Sequence, residues 1–180
     1  MNRKWISIGL VSMIVLQLGV LAGEYLGAVY PLWTGQEIRL KVVPVDPRSL
    51  FRGNYARLNY DISRIDANDL KGVESPRNGE IVYVSLKPDE QGLYIFSAAS
   101  TVKPVSGIFI RGRVNRSRWW GGSAKLPIKY GIEAWFAPKK KALELERTLR
   151  SGGGVASVMV ASNGKATLKA VGPGESLTKP

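Results

Sequence analysis

An uncharged, strongly apolar stretch near the N-terminus restricts the fold of this chain more than any other feature. Residues 5–23, WISIGLVSMIVLQLGVLAG, contain no charged side chain. At about 1.5 Å per residue, a helix of this length crosses roughly the 30 Å hydrocarbon core of a bilayer. A cleaved signal peptide usually has an apolar region of only about 7 to 15 residues that ends at small residues. Because LAGEYLGA is also a poor cleavage site, a retained anchor is favoured over a signal peptide or a buried core helix.

The charges on either side of this stretch indicate its orientation. Arg3 and Lys4 precede it, and Glu24 follows it before any further base. The positive-inside rule therefore places the N-terminus in the cytoplasm, and Arg39 and Lys41 oppose this only weakly because folded domains translocate largely regardless of their charge. The predicted organisation is a cytoplasmic N-terminus (1–4), a transmembrane anchor (5–23), a linker (24–36), an extracytoplasmic β-rich domain (37–172) and a flexible tail (173–180).

After the predicted linker, the hydrophobic period is two, which is typical of strands. IRLKVV alternates apolar and basic residues, and IVYVSL and LYIF flank the turn KPDEQG as a hairpin. IFIRGRV and IKYGIEAWF alternate as well, and Asn163-Gly164 predicts a second hairpin with positive φ at both turn positions. One short helix is expected after Pro138. The pattern predicts a mainly β fold, a sandwich or partly closed barrel of about seven to nine strands with one short helix, preceded by a transmembrane helix.

The composition excludes much familiar catalytic chemistry. The chain has no cysteine and no histidine, so it lacks disulfides, thiol nucleophiles, imidazole bases and the usual zinc ligand sets. We therefore expect no metal and no cofactor. The 26 Lys+Arg against 14 Asp+Glu give a formal net charge of +12. Such a charge predicts attraction to nucleic acid, phospholipid headgroups or an acidic polymer, and the extracytoplasmic orientation disfavours nucleic acid.

A basic segment with two tryptophans indicates where an anion or an interface would be contacted. No acidic residue occurs between Glu90 and Glu133. The predicted contact residues in this interval are Arg111, Arg113, Arg116, Arg118, Trp119 and Trp120. Arginines pair with phosphates and indoles favour the headgroup level, so anionic lipid or an anionic envelope polymer is the expected partner. The alternatives are a solvated basic face with the tryptophans in the core or, with reversed topology, a site for single-stranded nucleic acid.

The segment VDPRSLFRGNYARLNY joins a turn-rich loop to a strand. Pro44, Pro47 and Gly53 mark turns, and the extended run that follows places Leu58 and Tyr60 on one face as core residues. Physical arguments favour a structural loop over a ligand site, because the polar loop residues can satisfy backbone groups. The polar residues most worth testing are Asp46, Arg48 and Arg52.

An enzymatic alternative uses Ser49 of this loop. A serine–lysine pair would make the chain a membrane-associated hydrolase. No partner lysine on a neighbouring strand is identifiable from the sequence, and surface serines are common. We therefore expect that the protein is not an enzyme, and Ser49 is the residue that tests this expectation.

The same segment resembles the signature of the GDYXXLXY family of bacterial membrane-anchored proteins. Gly53, Tyr55, Leu58 and Tyr60 match the signature, and Asn54 stands where the family has Asp. An amide does not supply the charge that a metal ligand or general base at this position would need, although it retains a capping or turn role. The resemblance implies a single anchor in the bacterial inner (cytoplasmic) membrane and an uncharacterised function.

A second block, YGIEAWFAP, is similar to a later block of the same family and contains Tyr130, Gly131 and Glu133. We expect Glu133 to form a structural ion pair, with an arginine of the first motif as a candidate partner. The resemblance also implies a multi-pass membrane protein as a partner. The sequence thus predicts a non-catalytic, membrane-anchored accessory or binding module that contacts the lipid bilayer and binds a membrane protein or an anionic envelope surface.

Overall fold

The computed structural model describes residues 3–43, 55–73, 75–115, 125–136 and 153–174. In these residues a long α-helix, α1 (Arg3–Thr34), precedes twelve strands, so the prediction of a mainly β fold behind an apolar helix is confirmed. The strands are β1 (Gln36–Val43), β2 (Tyr55–Arg57), β3 (Asn59–Tyr60), β4 (Arg64–Asp66), β5 (Leu70–Lys71), β6 (Ile81–Pro88), β7 (Tyr94–Ser100), β8 (Ile108–Val114), β9 (Lys125–Lys129), β10 (Ala134–Phe136), β11 (Gly154–Val160) and β12 (Ala166–Pro173). The helix expected after Pro138 lies outside the described residues.

The largest described sheet has six strands and is nearly closed into a barrel. Its strand order is β4-β9-β8-β6-β7-β5. The two edge strands, β4 and β5, are consecutive in the chain and are joined only by the 3-10 turn Ala67–Asp69. The carboxylate of Asp66 accepts a hydrogen bond from the backbone N–H of Asn68 at 2.9 Å and caps this turn. Because so short a connection holds both edges together, the sheet must curl round on itself.

A four-stranded sheet, ordered β12-β11-β1-β3, covers the barrel-like sheet. Strand β1 alternates as predicted, and Leu40 and Val42 are buried. They belong to one apolar cluster with Val84 and Ile110 of the six-stranded sheet. Removing these side chains from water is the main force that holds the two sheets together.

The strands exceed the predicted seven to nine because five of them, β2, β3, β4, β5 and β10, contain only two or three residues. Alternation in hydrophobicity needs about four residues before it indicates a strand. The segment IKYGIEAWF, predicted as one alternating strand, is divided: β9 ends at Lys129 and β10 begins at Ala134. Between them Gly131 has φ +85°, a conformation that favours glycine, and the chain turns there.

The Asn163-Gly164 hairpin is present between β11 and β12, but its turn differs from the prediction. Gly164 has φ +80°, whereas no described residue other than glycine has a positive φ. The Gly164 N–H donates to the Ala161 carbonyl at 2.8 Å, and the Ala161 N–H donates to the Lys165 carbonyl at 2.9 Å. This is a type I turn followed by a glycine bulge, in which only the glycine needs the left-handed conformation.

Helix α1 continues through residues 24–34, which the sequence predicted as a linker. The apolar span of this helix covers Lys4–Thr34, with a mean hydropathy of 2.2. Its residues from Lys4 to Leu26 are exposed, whereas Pro31 is buried against the domain. The helix therefore has a free apolar part and a C-terminal part that packs on the β-domain.

Pro31 creates the polar contact between the helix and the domain. Proline has no N–H, so the Gly27 carbonyl, four residues earlier, lacks its usual helical donor. The ammonium of Lys165 donates to this carbonyl at 2.5 Å, and the hydroxyl of Thr167 approaches the Ala28 carbonyl at 3.4 Å. Two polar side chains, one just before β12 and one at its start, therefore hydrogen-bond to backbone groups of the helix.

Candidate functional site

The motif strand, predicted as one extended run up to Tyr60, consists of β2 and β3, which belong to two different sheets. Strand β2 pairs with β10, whereas β3 pairs with β1, where Val42 lies opposite Tyr60. Leu58, between β2 and β3, donates its N–H to the Glu133 carbonyl at 2.8 Å. Leu58, Tyr60 and Ile62 are all buried, as their alternation predicts. The two sequence blocks, 70 residues apart in the chain, therefore meet at one junction.

Two tyrosine hydroxyls close this junction. The Tyr60 hydroxyl donates to the Ile132 carbonyl at 2.6 Å, and the Tyr130 hydroxyl donates to the Ile62 carbonyl at 2.6 Å. Burial raises the pKa of both phenols well above the ordinary value, and the negative charge of Glu133 raises the pKa further. Both hydroxyls therefore stay protonated and act as structural donors.

The Glu133 carboxylate braces the turn between β9 and β10. One carboxylate oxygen accepts from the Tyr130 N–H at 2.5 Å, and the other accepts from the Gly131 N–H at 3.0 Å. Among the described residues, two backbone donors therefore stabilise the charge of this carboxylate. The expected ion pair with an arginine of the first motif stays a prediction. The motif arginines Arg48 and Arg52 lie outside the described residues.

Ser63 completes the first block on the other side. Its hydroxyl accepts a hydrogen bond from the Tyr60 N–H at 2.9 Å, and its side chain is buried. Sequence reasoning did not select Ser63, because a single serine after a strand carries no distinctive pattern. Ser63 thus accepts the N–H of Tyr60, as Glu133 accepts the N–H of Tyr130, so the backbone donors of both tyrosines are satisfied.

A cleft of about 380 Å³ opens beside this junction. Its cationic lining residues are Arg57, Arg64 and Lys129, and its carboxylate is that of Glu133. The other lining residues are Leu58, Asn59, Ser63, Asn115, Pro127, Ile128, Gly131 and Ala134. The described lining residues thus supply three cations and one carboxylate, so this part of the cleft is chemically suited to an anion.

The outer face of the barrel sheet continues the basic surface. Arg111 and Arg113 of β8 are exposed, and Arg113 lies directly opposite Lys129 of β9. The Arg113 guanidinium also donates to the Gly79 carbonyl at 2.9 Å. Directly opposed residues point to the same face of a sheet, so Arg113 and Lys129 share one basic face.

Several predicted residues lie outside the described residues. In the first block these are Asp46, Arg48, Ser49, Arg52, Gly53 and Asn54; in the basic segment they are Arg116, Arg118, Trp119 and Trp120. Of Tyr55, the structure describes only the backbone, which pairs with Phe136. Asn115, the last described residue before positions 116–124 of this segment, lines the cleft, and Lys125 of β9 is the first described residue after them. The described residue before positions 116–124 therefore lies at the cleft.

Sequence reasoning overlooked Arg57 and Arg64 as members of the basic surface. The alternation of the motif strand already placed Arg57 on the face opposite Leu58, which was the available signal. A 3-10 turn that ends at Ser63 separates Arg64 from the strand that contains Arg57, so no periodic pattern relates the two arginines. Among the described residues, no three Asp or Glu side chains come close enough together to hold a metal ion.

The fold and the site define a β-domain that carries an apolar N-terminal helix and whose signature residues brace the junction between its sheets. Residues 17–171 match the family described as GDYXXLXY protein. The match covers most of the chain, and the chain belongs to this family. No curated protein and no solved structure matches it.

Proposed function

We propose that this protein is a non-catalytic binding module, anchored in the bacterial inner membrane by α1 and exposed outside the cytoplasm. Its N-terminus lies in the cytoplasm. The β-domain serves as an accessory to a multi-pass membrane protein or binds an anionic surface of the envelope. The observation that carries this proposal is the exposed apolar helix, whose last turns pack on a β-domain with a basic face and cleft.

The helix has an exposed apolar part and a part that packs on the domain, and this division supports its role as an anchor. Its exposed part before Glu24 is long enough to cross a bilayer. The contacts with the domain begin at Gly27, where Lys165 reaches the helix backbone. A charged residue thus separates the part suited to lipid from the part that packs on protein. This arrangement fixes the domain close to the membrane surface on a short helical stem.

The described motif residues support a structural role for the signature. Tyr60, Tyr130 and Glu133 all use their polar atoms in hydrogen bonds to backbone groups. A side chain that holds the backbone in this way is a poor acid, base or nucleophile. The competing proposal, a hydrolase that uses Ser49, predicts that Ser49→Ala abolishes function and leaves folding intact.

Accessibility labelling in intact cells tests the topology, and the absence of native cysteine makes it direct. Single cysteines replace Asn2 and Gln91, the latter in the exposed turn between β6 and β7. We expect a membrane-impermeant maleimide to label Gln91→Cys in intact cells and Asn2→Cys only after lysis. The cysteine-free parent is the control, and the mass of the membrane-bound chain shows whether the helix is retained. Labelling of Gln91→Cys only after lysis would refute the orientation.

A further inference from the structure

The basic cleft at the motif junction has an excess of positive charge. Two guanidiniums and one ammonium, from Arg57, Arg64 and Lys129, line it together with the single carboxylate of Glu133. Among the described lining residues, the formal excess is therefore two positive charges. A phosphate monoester carries about −1.5 to −2 charges at neutral pH, so its charge matches this excess.

The types of donor in the cleft also suit a phosphate. Arginine presents a planar fork of N–H donors that matches two oxygens of one phosphate, and lysine adds a point charge. Both oxygens of Glu133 accept backbone N–H groups, which hold this carboxylate at the turn between β9 and β10. A volume of about 380 Å³ accommodates a small phosphorylated molecule rather than a bare ion alone.

The cleft lies at the end of the domain that is remote from the helix. Strand β1 starts at Gln36, directly after α1, and reaches the motif at Val42, opposite Tyr60. At about 3.3 Å per residue this separation is roughly 20 Å. Strand β8 also runs from the helix towards the cleft. Phe109 near its start lines a pocket with Thr34 of the helix, whereas Val114 at its end pairs with Ile128 of the cleft. A ligand therefore approaches the cleft from the aqueous space rather than from the anchoring bilayer.

We propose that this cleft binds the phosphate group of a small soluble phosphate monoester, with Arg57, Arg64 and Lys129 as the contacting cations. The inference goes beyond the proposed function, because it assigns a small soluble ligand to a cleft of the binding module. It rests on the proposed function only for the compartment in which the ligand is found.

Calorimetric titration of the full chain tests this proposal. The chain is placed in nanodiscs of phosphatidylcholine at low salt and titrated with inorganic phosphate, glycerol 3-phosphate and, as the neutral comparison, glycerol. We expect both phosphates to bind and glycerol not to bind. Arg57→Gln and Arg64→Gln should each weaken glycerol 3-phosphate binding roughly tenfold, because each removes a charge-assisted hydrogen bond. Arg64 is exposed, so its replacement leaves the fold intact even if Arg57→Gln disturbs β2.

Lys87→Gln is the matched control, because Lys87 is an exposed base near the opposite end of β6 from the cleft. A second set of nanodiscs contains phosphatidic acid, which carries the same monoester in the bilayer. Unchanged affinity for glycerol 3-phosphate in these discs supports a soluble ligand. Weakened affinity shows that a lipid headgroup fills the cleft, which overturns the proposal that the ligand is soluble. Absent binding, or binding lowered equally by Lys87→Gln and Arg64→Gln, overturns the site itself. In that case correct topology in the labelling experiment would leave the proposed function standing.

Discussion

Tyr60 and Tyr130 each donate a hydroxyl proton to the backbone carbonyl two residues beyond the other, Tyr60 to Ile132 and Tyr130 to Ile62. The two bonds cross the junction at which the motif strand leaves one sheet and joins another. Because both side chains are buried, neither carbonyl has water as an alternative partner. The pair therefore holds two distant sequence blocks in register.

Tyr60→Phe and Tyr130→Phe should each lower the free energy of unfolding by about 1–3 kcal/mol, because each leaves a buried carbonyl without its donor. Denaturant unfolding of the full chain in uncharged detergent measures this. Tyr94→Phe is the control, since the Tyr94 hydroxyl has no hydrogen-bond partner among the described residues. Equal losses for all three variants would contradict the crossed arrangement.

Alkaline pH should destabilise the protein through the same two phenols. Their pKa is raised in the folded state, so their contribution is complete below about pH 10, the ordinary pKa of tyrosine. Above that pH the unfolded chain loses protons that the folded chain retains, and the free energy of unfolding falls by roughly 1 kcal/mol per pH unit for each tyrosine. Unfolding measured from about pH 8 to about pH 11, a range that brackets the ordinary tyrosine pKa, checks this prediction. The Tyr60→Phe/Tyr130→Phe chain should show a much flatter curve, and an unchanged slope would refute the assignment.

Gly131→Ala should destabilise the protein by about 1–2 kcal/mol, because φ at Gly131 is +85° and a Cβ atom is strained there. A Cβ atom at this position would meet no atom within 4 Å, so crowding does not contribute. Gly174→Ala is a matched control, because its site is equally open and lacks the positive φ. The difference in the free energy of unfolding between the two variants measures the conformational cost at Gly131. A similar loss at both positions would show that backbone strain at Gly131 does not cause the destabilisation.

Lys165→Met should loosen the helix on the domain, because it removes the donor to the Gly27 carbonyl. Spin labels at Tyr25→Cys and Gln91→Cys report this as a broader distance distribution by double electron–electron resonance. In a Pro31→Ala background the broadening should be smaller, since residue 31 then supplies its own N–H to that carbonyl. Lys165→Arg should preserve the narrow distribution. Identical broadening with and without Pro31 would show that the freed carbonyl is not the reason for the contact.

A photo-crosslinking amino acid at position 119 should capture the partner of the basic segment in cells, with a crosslinker at Lys87 as the control. We expect position 119 to yield a crosslinked membrane protein or lipid whose amount falls with added salt, because exposed charges are screened. Arg116→Gln/Arg118→Gln should reduce the yield, and Ser49→Ala should leave it unchanged. Equal yields from positions 119 and 87 would contradict a specific basic interface.

Much of the architecture could be predicted because it depends on patterns of local residues. The alternation in β1, β6 and β8 reflects burial of one strand face. The apolar stretch before Glu24 reflects the length needed to cross a bilayer. The Asn163-Gly164 hairpin was located correctly, although its turn type was not. Several short strands were not predicted, because two or three residues show no periodicity.

The sequence by itself determined the apolar helix, the β-rich domain, the excess of positive charge and the two motif blocks, since each depends on residues close together in the chain. Only the tertiary structure decided that the hydroxyl bonds of Tyr60 and Tyr130 cross, and that Glu133 accepts two backbone N–H groups. It alone brought Arg57 and Arg64 to one cleft with Lys129. Such contacts depend on how the chain passes from one sheet to another. The energy of a buried hydrogen bond likewise depends on partners far away in the chain.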